Sequence, residues 1–544
     1  MSVISMYYFA LIAGTALLYY ILPKRVRWTA LLLGNLIFYS FCGKKEFAIL
    51  LFTAAAVYLA GRRIGALSGE LKAQKDHAAE LRRALKSAPE EEKEEIKREQ
   101  DLQKAEEKAQ RASLKKVLIA GIAVPVAILV ITKYTNFLLG LGGRIVLGER
   151  PAALRLIVPL GISFYTFQMI AYLMDVYRGR IPALTNPAKF FLYVSFFPTI
   201  TQGPIARYEQ LGEQLMAGNA YRFENVRDGL ILIFWGLAKK LIVAERLGVF
   251  VGTVFRDYES YGGVLFLITA AVYSVQIYAD FSGCMDIAAG SARVFGIEIE
   301  KNFLRPYFSE SIPEFWRRWH VTLGTWFKDY IFIPVSISKP VMKLGRNIKK
   351  KTGGKYGKQV PTVTALTVVW LLTGIWHGAE LKYIVWGMFH GTLIILSTLF
   401  GGHISAWTGK AGIRPEKTVW KLFRIARTFF LCCIGRIFFV ARGVRAGLAI
   451  LVSAFAGPHL AYLKPSVIAG LGINKKNWLV LAVFCAVWFA VSVLSERGRD
   501  VLSDFSRLPL LLRWCLLYLL VFGVLIFGVY GAGVNVSAFI YEQF

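Results

Sequence analysis

Stretches of about twenty apolar residues recur along this chain, the length an α-helix needs to cross the hydrocarbon core of a bilayer. They fall near residues 3–22, 28–42, 47–60, 117–139, 155–175, 187–203, 227–250 and 262–281. Others follow near 361–376, 380–399, 423–441, 447–468, 476–494 and 509–530. Of the 544 residues 56% are hydrophobic and only 18% charged, whereas soluble domains are nearer a quarter charged. The expected fold class is an all-α polytopic membrane protein with about 11–12 transmembrane helices. Several runs are short or broken by Gly and Pro, as in VPLGISFYTFQ and FFPTITQGPIARY. Irregular backbone at membrane depth is tolerated only where protein buries it or where it lines a cavity. An interior polar site, with re-entrant or interfacial helices, is therefore expected. No internal repeat is visible, which weighs against an inverted-repeat transporter.

The formal charge is +30, and Lys and Arg cluster between the apolar runs. Cytoplasmic loops carry such an excess, and no nucleic-acid motif accompanies it, so no nucleic-acid partner is expected. PKRVR at 23–27 and GRR at 61–63 place those loops in the cytoplasm and the N-terminus outside, although Lys44 and Lys45 then fall on the wrong side. Residues 3–22 lack a charged leader and a small-residue cleavage site, and read as a first span rather than a removed signal. Six cysteines show no C-x-x-C spacing, so neither a disulfide framework nor a zinc pattern is implied.

Residues 62–116 change character, with fifteen Lys or Arg against twelve Asp or Glu. Ile64, Leu67, Leu71, Ala78, Leu81 and Leu85 follow heptad spacing, Ser87-Ala88-Pro89 breaks it, and a second charged helix resumes. A cytoplasmic helical hairpin is expected, either a solvated spacer or a docking surface. The organisation is then 1–61 as N-terminal membrane helices, 62–116 as the hairpin and 117–544 as the membrane core.

Three of the six histidines lie in apolar surroundings: His320 in WRRWHVTL, His377 in LLTGIWHGAE and His390 in VWGMFHGTL. An ionisable group at membrane depth is costly and is by default a candidate for function. Histidine also accepts and returns a proton near neutral pH. The competing reading is a structural histidine bonded to a neighbouring helix. No H-x-x-x-H and no G-x-S-x-G occur, so metal ligation and a serine nucleophile are both disfavoured. Around His320, the stretch FWRRWHVTLGTWFKDYIFIPV predicts a helix starting at Ser311. On it Arg317, His320 and Gly324 share one face, and Phe315, Trp319, Thr322 and Trp326 another. Arg317 and Arg318 are candidates to hold Asp280 or Asp286, or an anionic donor. Anchoring to lipid headgroups by Trp and Arg is the alternative.

Together YADFSGCMDIAAGSARVFG, NFLRPYFSESIPEFWRRWHVTLGTWFKDYIFIPV, GIWHGAE and WGMFHG resemble the membrane-bound O-acyltransferase (MBOAT) family. The likeness is to its bacterial AlgI/DltB-like branch, which serves alginate O-acetylation and teichoic acid D-alanylation. FFPTITQGPIARY and the terminal SAFIYEQF resemble it too, and only the hairpin falls outside. The resemblance implies tilted helices around a central funnel, with His377 as catalytic base and His320 as the second characteristic histidine. Trp316, Trp319, Trp376, Arg317, Arg318, Asp280, Asp286 and His390 are candidates to line the donor or acceptor tunnel. It implies transfer of a short acyl group, acetyl first and D-alanyl as the alternative, onto a cell-surface or secreted polysaccharide. No bound cofactor or metal is implied, the donor being an acyl thioester such as acetyl-CoA or an acylated carrier. Implied partners are membrane lipids, an acyl carrier protein, the polysaccharide acceptor and an extracytoplasmic SGNH-like acyltransferase, at the bacterial inner membrane. One departure stands out: Val440 occupies a place where the branch often has Arg, so no role is carried over to that segment. A transporter or channel remains the reading from a different class.

Overall fold

The computed structural model describes residues 2–87, 89–146, 148, 151–352, 354–414 and 416–530. The SAFIYEQF motif lies outside them. Helix follows helix, and the isolated bridge between Phe303 and Trp319 is the β pairing found among the described residues. Seven described helices are long and apolar enough to cross a membrane. They are Lys44–Ser87, Glu90–Val146, Val264–Arg293, Tyr356–His377, Leu381–Lys410, Lys475–Glu496 and Leu510–Phe527. This is a multi-pass, all-α membrane protein, with fewer full-length spans than its apolar runs suggest. The difference is local. The run at 187–203 shrinks to helix Pro187–Ser195. The run at 227–250 divides into Phe223–Ala238 and Glu245–Arg256, joined by the wider π-helical turn Lys239–Ala244.

The chain divides into two compact units. The first comprises 10–201 and 205–220. Its helices Lys44–Ser87 and Glu90–Leu129 pack along each other, and the expected hairpin is their continuation rather than a separate body. A helix of 44 residues is about 66 Å long at 1.5 Å per residue, roughly twice the ~30 Å hydrocarbon core. In the charged half, Ile64, Leu67 and Leu81 are buried and Leu71, Ala78 and Leu85 half-buried, as their spacing requires. Gln103 Nε2 donates to the Gln74 carbonyl at 3.1 Å and ties the two arms.

The second unit comprises 2–9, 202–204 and the chain from Tyr221 on. Its centre is helix Val264–Arg293, against which Phe223–Ala238 runs antiparallel along a glycine seam. A Cβ on Gly236 would stand 2.4 Å from the Gly283 carbonyl oxygen, and one on Gly290 2.4 Å from that of Gly229. Only glycine allows backbones so close, and small-residue seams are how membrane helices gain packing without a hydrophobic drive. The seam presses the π-helical turn onto the central helix. There Lys240 Nζ meets Asp280 at 2.7 Å and Glu245 at 2.8 Å, and Lys239 Nζ meets Asp286 at 2.6 Å. This corrects the expected pairing of Asp280 and Asp286 with Arg317 or Arg318. The acids face the Phe223–Ala238 side of their helix, where the lysines already answer them.

Candidate active site

His320 sits at a fold-back, not on one continuous helix as its spacing suggested. Ser311 caps helix Ile312–Arg318, its Oγ accepting from the Glu314 amide at 3.3 Å. The helix then stops, because 318–321 pairs with 302–304 instead. The Leu304 amide donates to the Arg318 carbonyl at 2.9 Å, and the Val321 amide to the Asn302 carbonyl at 3.0 Å. His320 takes the left-handed conformation (φ 50°, ψ 52°), and helix Val321–Phe327 starts after it. A non-glycine residue held there costs about 1–2 kcal/mol, and such strain gathers at functional sites.

Asn302 fixes the ring. Its Oδ1 accepts from the Thr322 amide and from Thr322 Oγ1, both at 3.0 Å, and lies 3.2 Å from His320 Nδ1. A backbone N–H can only donate, so the atom facing His320 is the amide oxygen, and Nδ1 must carry the proton. In the neutral ring Nε2 is then the acceptor nitrogen. Asn302 is itself buried, with Nδ2 directed to the Met285 sulfur at 3.2 Å.

His377 ends helix Lys355–His377, which crosses closely over Leu381–Lys410. A Cβ on Gly387 would lie 2.7 Å from the Trp370 carbonyl oxygen, and one on Gly378 2.3 Å from the Tyr383 ring. His377 and His390 thus sit on two successive helices joined by 378–380. The approach gathers a cage of rings. Trp376 contacts both characteristic histidines, its ring 5.8 Å from His320 and 4.9 Å from His377. Trp386 is 4.7 Å and Phe439 5.5 Å from His377. His390 stands behind, 5.4 Å from Trp386 and 5.1 Å from Trp316. All three histidines are 2% exposed, so bulk water is kept from each ring.

The other candidates separate. Trp316, Trp319 and Trp376 join the cage. Arg317 is exposed and stands away from it. Arg318 is taken by Glu496, at 2.8 and 3.0 Å, and by Glu314 at 2.8 Å. Among the described residues no three His, Cys, Asp or Glu converge as a metal set.

Sequence reasoning missed Asn302, Lys239, Lys240 and Arg436. Arg436 is 5% exposed on helix Thr418–Val440, one turn before Val440. Nη1 donates to the Ser274 carbonyl at 3.0 Å and to the Tyr307 hydroxyl, and the guanidinium lies 4.5 Å from the Trp319 ring centre. The available signal was a lone Arg inside the apolar run FFLCCIGRIFFV. Two cavities flank the cage. A small one of about 10 Å³ is lined by Trp316, Trp319, Trp386, His390, Arg436 and Phe439, among others. A larger one of about 470 Å³ reaches Asn302 and is lined by both charge signs, including Lys239, Arg293, Lys301, Asp286 and Glu298.

Comparison with known proteins adds relatives to this geometry. Residues 180–441 match the model of the membrane-bound O-acyltransferase family. The chain is 32% identical over 387 residues to the probable alginate O-acetylase AlgI of Pseudomonas putida, covering 70% of this chain and 73% of that one. It is 32% identical over 360 residues to the peptidoglycan O-acetyltransferase of Helicobacter pylori, covering 61% and 63%. It is 28% identical over 285 residues to the teichoic acid D-alanyltransferase of Bacillus subtilis, covering 51% and 67%. The match spans 66% and 57% of the length of two further alginate O-acetylase relatives.

Proposed function

The chain belongs to the membrane-bound O-acyltransferase family, and from that premise we propose that it transfers an acetyl group from a thioester donor to hydroxyls of a cell-surface or secreted polysaccharide. The observation that carries this reading is the pair of buried histidines that both contact Trp376, one with its tautomer set by Asn302.

In the proposed step His377 takes the acceptor's hydroxyl proton as that oxygen attacks the thioester carbonyl. A C–O ester bond forms, the C–S bond breaks, and the proton passes to the leaving thiolate. His320 Nε2 receives a hydrogen bond and orients the reacting groups. General-base help is worth about 10²–10⁴-fold, and holding both substrates in one cage contributes further. The rings of Trp376, Trp386 and Phe439 exclude water that would hydrolyse the thioester. The donor, acetyl-CoA or an acylated carrier protein, enters from the cytoplasm by the larger cavity, since Asn302 belongs both to that cavity and to the His320 contact. The acceptor side is served by an extracytoplasmic SGNH-like partner, with the chain in the bacterial inner membrane and its N-terminus outside.

The test is mild alkaline release of small acids from cell envelope and secreted polymer. It compares cells with the wild-type chain, with His377→Ala or with none. Acetate lost in both of the latter supports the reading. Unchanged acetate with His377→Ala overturns it. D-alanine lost in place of acetate supports the second reading, D-alanyl transfer to teichoic acid, which the Bacillus subtilis relative favours.

A further inference from the structure

Arg436 is a full positive charge buried inside the protein, and no described carboxylate pairs with it. Isolated buried charges are among the most costly groups a fold can hold. Here the compensation is neutral: a carbonyl, a phenol and the faces of Trp319, Tyr307 and Phe315. Only Nη1 is used. Nε and Nη2 make no hydrogen bond to a described residue, and Arg436 lines the small cavity beside the His377 cage. His390 Nδ1 and Trp316 Nε1, on the same lining, are likewise buried without a hydrogen-bond partner among the described residues. A volume of about 10 Å³ admits one water-sized group. The surroundings thus offer a positive charge and hydrogen-bonding nitrogens in a space too small for a long chain, and the lining residues include no acid.

We propose that Arg436, with His390 and Trp316, is the acyl-selectivity site: its field acts on the acyl group held beside this cavity, favouring a small acyl group that carries no positive charge and disfavouring an aminoacyl group such as D-alanyl. This rests on the acyl-transfer reading above and names its substrate class. The cavity adjoins His377 through Trp386 and Phe439, so an acyl group placed for attack lies within reach of the guanidinium's field. Two like charges about 10 Å apart at an effective dielectric near 20 disfavour each other by roughly ten-fold or more in occupancy. An acetyl group meets no such penalty, and its carbonyl oxygen suits the unused N–H groups.

D-Lactoyl and D-alanyl groups differ by a hydroxyl for an ammonium at nearly equal volume, and so isolate the charge. Membranes holding the full chain and its polymer acceptor are supplied with acetyl-, D-lactoyl- or D-alanyl-pantetheine. Newly esterified acid is then released by mild alkali and measured. The wild type is expected to prefer D-lactoyl to D-alanyl by ten-fold or more. Arg436→Gln should bring the ratio within about three-fold, and Arg436→Lys, which keeps the charge, should retain it. Arg436→Met replaces Arg436→Gln if the latter does not accumulate in the membrane. A wild-type ratio near one overturns the proposal with no variant needed. So does a neutral variant that keeps the full wild-type ratio. Esterification that continues unchanged with His377→Ala instead overturns the acyl-transfer reading, a separate failure.

Discussion

Two places in the larger unit bury basic side chains, and they answer the charge in opposite ways. At the π-helical turn, Lys240 is 1% exposed and is met by Asp280 and Glu245, with Lys239 on Asp286 beside it. In the cage, Arg436 is almost as buried and is met by ring faces and neutral oxygens. The first arrangement closes its charge within the protein and clamps two helices already pressed together by glycine. The second leaves positive potential directed at a cavity. A buried cation with carboxylate partners belongs to the frame; one with only neutral partners keeps its field for something that arrives.

The largest expected effect tests the clamp. Lys240→Met leaves Asp280 and Glu245 facing each other without a cation, and breaking a buried pair from one side costs about 3–5 kcal/mol. Folded protein recovered in detergent should fall sharply; an unchanged melting temperature would erase the contrast drawn above. Next comes the neutral partner of His320. Asn302→Ala should slow acyl transfer about 10–100-fold, or roughly 1.4–2.7 kcal/mol of barrier, and should also lower the melting temperature, because it strands the Thr322 amide and hydroxyl. Unchanged turnover would mean that Asn302 supports the fold rather than the ring. Arg436→Met comes third. It removes cation–π contacts worth about 0.5–2 kcal/mol but strands no carboxylate, so its melting temperature should stay well above that of Lys240→Met. The reverse order would make Arg436 part of the frame. The smallest effect belongs to Arg499, whose partner Asp504 lies at the surface at 2.7 Å. Arg499→Ala should leave melting and activity unchanged, since water and salt screen such pairs.

What was legible in the sequence was local. The stripe from Ile64 to Leu85 repeats within one helix, so its buried face follows from spacing alone. The Ser311 cap is a four-residue pattern and forms where it was expected. His320, His377 and His390 stood out because imidazoles are rare among apolar residues, and the structure brings all three into one cage. What was not legible depends on partners distant in the chain. The helix through His320 breaks because 302–304 pairs with it. Asp280 and Asp286 turned to lysines some forty residues upstream rather than to the arginines that followed them. Among the described residues seven helices are long and apolar enough to cross a membrane, and other apolar runs form shorter helices or helices with π-helical turns that hydropathy smooths over.

The left-handed backbone at His320 bears on descent as well as on geometry. Glycine, and to a lesser degree asparagine, takes φ near 50° more cheaply than histidine does. Mutation at this codon that reaches either residue relieves strain, and only the demand for an imidazole opposes it. A lineage that no longer needed the chemistry would therefore drift at position 320 toward glycine or asparagine while the rest of the fold persisted. A copy of this chain bearing that replacement, and melting higher for it, would be the fossil of an abandoned enzyme.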